Sequence, residues 1–177
     1  MAALLTTAST RRGTSFNRRA GSGTVMRWLL AIFLVVLTSP GLAQDAIAEL
    51  MSSSEAPHGV VFEIVEADEE ALQDILPRVR DYIERLRARY PDTEFAVVSH
   101  GREEFALQTK YQQSYAEIHQ QVQSLVADEV PVHVCETHAG WYDVSAEDFP
   151  EYVNVAPTGP GQVNLYRDLG YELIVVD

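Results

Sequence analysis

One cysteine carries most of the chemistry that this sequence could perform. The chain of 177 residues has a single cysteine, Cys135, at the end of a short segment, 131–135, that is expected to form a strand. Thiolate is the nucleophilic form of cysteine, and backbone N–H groups or nearby positive charge favour it. His100 or His138 could supply that charge. The position predicts a sulfur nucleophile or carrier, and an inert cysteine packed under a helix is the alternative.

His133, Cys135 and His138 also allow a metal-site interpretation, because imidazole and thiolate are ligands that suit zinc or copper. His133 and Cys135 share a strand face, since side chains alternate along a strand, but this places His133 below the edge of the sheet. We therefore expect a hydrogen-bonded strand histidine and no metal. No cofactor is expected either, because 159–161 lacks the lysine and Ser/Thr of a phosphate loop.

Alternating strand and helix patterns position these residues. Short apolar runs predict five strands, at 60–65, 95–99, 131–135, 152–155 and 171–176. Apolar spacing and capping signals predict helices at 72–90, 112–127, 145–149 and 162–168. In the first of these helices Asp74 is expected to be the cap, with Pro77 in the first turn. The charged run 102–104 is expected to turn outward as a polar loop.

The order of these elements predicts the fold class. Strands that alternate with helices and consist almost entirely of Val, Ile and Phe indicate a mostly parallel sheet that is covered on both faces. The expected fold is therefore an α/β, flavodoxin-like three-layer sandwich with a mostly parallel sheet of about five strands.

Ligands of open α/β sheets bind beyond the carboxyl ends of the strands. Cys135 stands at such an end, and we expect four residues from the second and third strand ends to shape a pocket around it: His100, Gly101, Thr137 and His138. Trp141 and Tyr142 follow shortly afterwards, and they could line a pocket or a subunit interface.

Residues 1–43 have the pattern of a cleavable signal peptide. Five arginines and no acidic residue accompany an apolar run at 28–37, and small residues precede a cleavage site near Ala43. The apolar run has about ten residues, half of what a membrane-spanning helix needs. We therefore expect a periplasmic or secreted protein without a stable membrane anchor after cleavage, whose signal begins at Met1 or at Met26.

The remainder of the chain is expected to form one domain. Residues 44–58 are small and polar, which predicts a flexible linker before a domain at 59–177. The formal net charge is −13, and this acidic balance argues against nucleic acid or anionic lipid as partners. A lone cysteine cannot form an intramolecular disulfide, so the fold must depend on packing.

Three segments resemble the DsrE-like proteins of sulfur metabolism: 97–101, 132–137, and 153–159 together with 169–174. The resemblance spans about 59–177. It implies a flavodoxin-like fold, assembly into homotrimers or hexamers, and sulfur carried as a persulfide on a cysteine at the position of Cys135. The sequence departs from many stand-alone members at Glu136, where they have Asn.

The resulting hypothesis is an exported DsrE-like protein in which Cys135 binds or relays sulfane sulfur from a donor to an acceptor, at most a transferase-like role. His100 and Gly101 would shape the pocket. The alternative is a non-catalytic oligomeric module that binds a small ligand or partner and contains a structural Cys135. A third possibility is a metal-binding protein that uses Cys135 and His138.

Overall fold

A five-stranded parallel sheet organises residues 42–177, the part of the chain that the computed structural model describes. Its strands are β1 (Gly59–Ile64), β2 (Glu94–Ser99), β3 (Val132–Cys135), β4 (Asn154–Ala156) and β5 (Tyr171–Val175). The order is β4-β3-β2-β1-β5, and all neighbouring pairs are parallel. The predicted flavodoxin-like α/β class is confirmed. The strand order differs from the 2-1-3-4-5 order of flavodoxin itself.

Helices cover both faces of this sheet. They are α1 (Leu42–Ser52), α2 (Leu72–Arg89), α3 (Ala116–Ala127), α4 (Glu136–Gly140) and α5 (Gly159–Asp168). Three 3₁₀ segments lie between them, at Arg102–Leu107, Thr109–Tyr111 and Ala146–Asp148. α1, α2 and α3 bury the larger core cluster, and α5 covers the other face. The sheet is therefore the middle layer of three.

The predicted linker at 44–58 is wrong over most of its length, because α1 occupies Leu42–Ser52. Ile47 is fully buried in the main core. The hydroxyl of Tyr90 donates to the carbonyl oxygens of Leu50 and Ser53 at 2.9 and 2.7 Å, which fixes the end of the helix. The predicted signal peptide lies outside the described residues except for its last two, so cleavage near Ala43 stays a prediction.

Pro77 lies inside α2 rather than in its first turn. The helix begins at Leu72 after Ala71, and Asp74 does not cap it. A proline leaves the carbonyl four residues earlier without its helical donor. Here both Pro77 and Gln73 are exposed, so that water can reach this carbonyl. The amphipathic face of α2 is uninterrupted, and the helix tolerates the proline for this reason.

The remaining elements lie close to their predicted positions, with three differences. α3 begins at Ala116, four residues later than the predicted 112. The capping box before the third 3₁₀ segment is present: the N–H and the hydroxyl of Ser145 donate to Asp148 Oδ2 at 2.8 and 2.9 Å. α4 was not predicted, and α5 begins at Gly159, three residues early, because Thr158 caps it by accepting the N–H of Gly161. Within residues 42–177, no helix is long and apolar enough to cross a membrane.

Replacing Ile47 tests whether α1 belongs to the folded domain. Ile47→Ala should lower the free energy of unfolding by about 2 to 5 kcal/mol, because it removes buried methyl and methylene groups from the core. Ala48→Ser, at an exposed position of the same helix, should change it by less than about 0.5 kcal/mol. Urea unfolding measures both; equal, small effects would mean that α1 contributes nothing to the core.

Candidate functional site

A cleft of about 650 Å³ opens at the carboxyl edge of the sheet. The segments after β1, β2 and β3 and the start of α5 form its walls, and their surface inside the cleft is mostly apolar. The lining residues are Val65, Glu66, Ala67, His100, Gly101, Arg102, Cys135, Thr137, His138, Trp141, Thr158 and Pro160. All five residues predicted to form the site from the sequence are among them. Two larger depressions, about 830 Å³ each, have mainly polar surfaces and include Tyr171, at the amino end of β5.

Cys135 lies at the floor of this cleft. It ends β3 and caps α4: its Sγ accepts the backbone N–H of His138 at 3.3 Å. The side chain lines the cleft, yet the residue is only 3% exposed. This hydrogen bond fixes the position of the sulfur at the start of α4. The fold therefore holds the single thiol in a fixed position beneath an apolar opening.

The side chain of His133 forms a hydrogen bond within the domain, as expected. Its Nε2 lies 2.9 Å from the hydroxyl of Tyr166 on α5, and burial lowers the pKa of the imidazole. Among residues 42–177, no group of three or more His, Cys, Asp or Glu side chains is arranged to hold a metal ion.

Two fully buried glutamates stand behind the cleft, and the prediction of an outward polar loop at 102–104 is wrong for both. Glu103 and Glu104 are both 0% exposed, because the 3₁₀ segment after β2 turns back under the sheet edge. Oε1 of Glu103 accepts the hydroxyl of Ser99 at 2.8 Å and the N–H of Gly101 at 3.0 Å, and Oε2 accepts the N–H of Glu66 at 2.7 Å. This carboxylate thus joins the ends of β1 and β2.

Glu104 makes the corresponding connection to β3. Its Oε2 accepts the N–H of Cys135 at 2.7 Å, and its Oε1 lies 2.8 Å from Nδ1 of His138. Burial raises the pKa of Glu104 to about 8, the N–H of Cys135 opposes this rise, and the charge of Glu103 adds to it. Burial also lowers the pKa of His138. Both shifts favour an uncharged Glu104–His138 pair at neutral pH.

Aromatic side chains fix the ring of His138. Phe105 stacks on it with the ring centroids 5.3 Å apart, while Trp141 and Tyr142 approach with centroid distances of 5.6 and 5.4 Å and tilted rings. Trp141 is 73% exposed and forms part of the cleft wall. The three aromatic side chains therefore fix the plane of the imidazole ring.

His100, Gly101 and Thr137 build the walls. His100 bonds to Glu63 through Nε2, with Oε1 at 2.8 Å. Gly101 is needed because a Cβ there would lie 2.6 Å from the backbone N of Glu66 and would overlap the Glu103 carboxylate. The hydroxyl of Thr137 donates to the carbonyl oxygen of Pro157 at 2.7 Å, which holds α4 against the segment before α5.

Sequence reasoning missed Glu103, Glu104 and Arg102. A run of charged residues after a strand usually indicates a solvated loop, and no sequence pattern distinguishes it from a segment that folds back. The pairing of Glu104 with His138 spans 34 residues and exists only in the folded chain. Arg102 lies over the ring of Tyr142 at 5.5 Å and pairs with Glu69.

No family model matches this chain, and no curated protein matches it either. Among solved structures, the chain is similar to MTH1491, a protein of unknown function from Methanobacterium thermoautotrophicum. The TM-score is 0.54, and 23% of residues are identical over 67% of this chain and 98% of the other. At this level of identity the similarity supports the α/β fold.

Two glycine substitutions test the close packing beside the cleft. Gly101→Ala should lower the free energy of unfolding by about 1 to 3 kcal/mol, because the new methyl group displaces the Glu103 carboxylate. Gly140→Ala, where a Cβ has no neighbour within 4 Å, should leave stability unchanged or raise it by less than about 1 kcal/mol. Chemical denaturation measures the free energy of unfolding of both variants. If Gly101→Ala is as stable as the wild type, the Glu103 carboxylate does not pack against Gly101 as described.

The pKa of Glu104 predicts how stability depends on pH. The folded chain keeps this proton up to about pH 8, whereas unfolding returns the carboxyl to its ordinary pKa of 4.5. The folded state thus binds more protons in that interval, and it loses stability as the pH rises. The lowered pKa of His138 acts in the opposite direction, below its ordinary pKa of 6.5.

We therefore expect the free energy of unfolding to fall as the pH rises from 6.5 to 8. In Glu104→Gln this fall should disappear, because the amide accepts from Cys135 and donates to His138 at every pH. Urea unfolding at several pH values measures both proteins. A wild-type stability that stays flat or rises across this window would show that Glu104 is ionised at neutral pH.

Proposed function

We propose that this protein is an exported DsrE-like sulfur carrier in which Cys135 takes up and passes on sulfane sulfur as a persulfide. The observation that carries the proposal is the placement of the single thiol: its Sγ accepts the His138 N–H at the floor of a cleft at the carboxyl edge of the sheet. Parallel α/β sheets bind their ligands at this edge.

The transfer needs no oxidant. The Cys135 thiolate attacks the outer sulfur of an uncharged perthiol, R–S–SH, and the S–S bond of the donor breaks. R–S⁻ leaves with the bonding electron pair, and Cys135 becomes Cys–S–SH. An acceptor thiolate then removes the outer sulfur by the same step. Donor and acceptor are therefore thiol compounds, and the protein holds the sulfur between two exchanges.

The surroundings of Cys135 suit a reactive sulfur that must be preserved. A persulfide is polarizable and easily oxidised further, and oxidation of cysteine follows its exposure. Cys135 is almost completely buried, and the cleft above it is mainly apolar. His100 and Gly101 wall the cleft on the β2 side, where the Glu63 and Glu103 hydrogen bonds fix them.

A second candidate function, a binding module with a structural Cys135, is favoured by the size of the cleft. Its volume of about 650 Å³ falls within the range of about 300 to 1,000 Å³ that is typical of small-molecule sites. Such a ligand would contact Val65 and Trp141 and leave the buried thiol unmodified. Reactivity of Cys135 distinguishes the two functions.

The carrier is expected to act as a homo-oligomer, a trimer or hexamer by the family resemblance. Three exposed large apolar side chains support self-association: Leu165 on α5, Leu169 directly after α5 and Val175 on β5. Exposed apolar patches mark interaction surfaces in soluble proteins.

Intact-mass spectrometry after incubation with polysulfide tests the carrier function. We expect the wild-type protein to gain one sulfur atom, about 32 Da, as a persulfide. Cys135→Ser should gain none. Dithiothreitol should remove the added mass, since a persulfide is reducible, and iodoacetamide applied first should block the gain.

The comparison variant for this experiment is Gly140→Ala, in α4 but outside the cleft lining, where a Cβ has no neighbour within 4 Å. It should take up sulfur as the wild type does. A wild-type thiol that resists both polysulfide and iodoacetamide in the folded protein would overturn the carrier function and leave the binding module in its place.

A further inference from the structure

We propose that Glu104 is a positioning residue for Cys135 chemistry: its carboxyl group bonds to Nδ1 of His138 and thereby keeps a proton on Nε2, which donates to sulfur in the cleft. The role of this donor in sulfur transfer rests on the function proposed above. The protonation state of His138 does not, because it follows from the geometry of the pair.

The hydrogen bonds leave one imidazole nitrogen free. Nδ1 of His138 is taken by Glu104 Oε1, and Nε2 has no hydrogen-bond partner among residues 42–177. In this part of the chain, Oε1 of Gln108 is the buried side-chain nitrogen or oxygen without a partner. Nε2 of His138 is therefore accessible, and the side chain to which it belongs lines the cleft.

Hydrogen bonds at both oxygens fix the orientation of the Glu104 carboxyl group. Its Oε2 accepts the N–H of Cys135 at 2.7 Å, so the same group fixes the backbone of the nucleophile and the ring beside it. Phe105 stacks on the imidazole and fixes the plane of the ring, and the bond to Glu104 fixes which edge of the ring faces Glu104. Glu104 thus determines both where Cys135 lies and which nitrogen of His138 faces the cleft.

The number of protons on the pair decides whether Nε2 is a donor. An uncharged pair contains one proton between Oε1 and Nδ1 and a second on Nε2. Wherever the shared proton lies, Nε2 is an N–H group. When the pair loses a proton, the Glu104 carboxylate accepts Nδ1–H and Nε2 becomes an acceptor. Nε2 therefore changes from donor to acceptor, although the negative charge that results lies on the buried carboxyl group of Glu104.

The groups around the Glu104–His138 pair place the loss of its proton above neutral pH. Burial raises the pKa of Glu104 to about 8. The charge of Glu103 also raises the pKa of both members, whereas His100 and Arg102 lower that of His138. The titratable and charged groups around the pair, from every element packed against it, are Glu66, His100, Arg102, Glu103, Cys135 and Tyr142.

An N–H group at Nε2 can supply a proton or a hydrogen bond to the leaving thiolate. When Cys135 takes the outer sulfur of R–S–SH, the thiolate R–S⁻ leaves with an electron pair and without a proton. Nε2–H can donate to this sulfur or protonate it to R–SH, and the proton released from the Cys135 thiol restores the pair through solvent. General acids of this kind work best with a pKa near the operating pH.

Nitrogen-15 NMR of the imidazole tests the protonation state directly, without reference to sulfur. In protein labelled at histidine, Nε2 of His138 should be protonated at pH 7 and should lose its proton near pH 8, while Nδ1 gains N–H character. The signals are assigned by their loss in His138→Gln. In Glu104→Gln the Nε2 proton should persist to pH 9, because the amide donates permanently to Nδ1.

Glu136→Gln is the matched control. Glu136 is an exposed carboxylate directly after Cys135, and its removal should leave the His138 titration unchanged. The inference is overturned if Nδ1 carries the proton of an uncharged His138 at pH 7, or if Glu104→Gln titrates as the wild type does.

Rates of sulfur uptake test the chemical role. For each variant and pH, the rate of persulfide formation is divided by the rate of iodoacetamide alkylation, since alkylation needs the thiolate and no acid. Ionisation of the sulfur donor affects the wild type and Glu104→Gln equally at a given pH, so it cancels when the two proteins are compared. The wild-type ratio should equal that of Glu104→Gln at pH 7 and fall roughly tenfold below it by pH 9.

The two experiments separate the possible failures. If the wild type takes up no sulfur but the NMR titration is as expected, the carrier function fails and the Glu104–His138 pair stands. If sulfur is taken up and the wild-type ratio follows that of Glu104→Gln at every pH, the donor has no role in the transfer and this inference fails.

Discussion

The cleft depends on two carboxyl groups that water does not reach. Glu103 and Glu104 are adjacent in the chain, and together they accept hydrogen bonds from the ends of β1, β2 and β3. A buried carboxyl group is costly unless its oxygens are satisfied. Because these groups are satisfied only when all three strand ends are in place, the same bonds that make their burial possible also bring Gly101, Cys135 and His138 into one site.

Much of the fold follows from local sequence patterns, and the site follows only in part. The apolar strands and the apolar stripe of α2 predict a layered fold, because these surfaces can be buried only by packing a helix layer on the sheet. The position of Cys135 at a strand end follows from the same pattern. α1 was missed although Ala43, Ile47 and Leu50 have helical spacing, since the serines and proline that follow indicate a loop. Tertiary packing on β5 and α2, which no local pattern contains, orders this segment.

The partners of the site residues could not be predicted from the sequence for a physical reason. Hydrogen bonds between Glu104 and His138, His100 and Glu63, or His133 and Tyr166 each join elements far apart in the chain. Local propensity carries no information on such pairs, because the unfolded chain gains nothing from them. The residue types at the strand ends thus indicated where chemistry could occur. The protonation state of each ionisable group depends on residues that only folding brings next to it.

The strand order also affects when the domain can form. β1 lies beside β5, and their register pairs Gly59 with Tyr171 and Glu63 with Val175. β1 can pair with β2, the next strand in the chain, but its other edge pairs only with the last strand, and this pairing of distant segments slows folding. Until β5 is in place, the free edge of β1 presents unpaired N–H and C=O groups, which can pair with the strand edge of another chain. β5 therefore protects the sheet against edge-to-edge association as well as completing it.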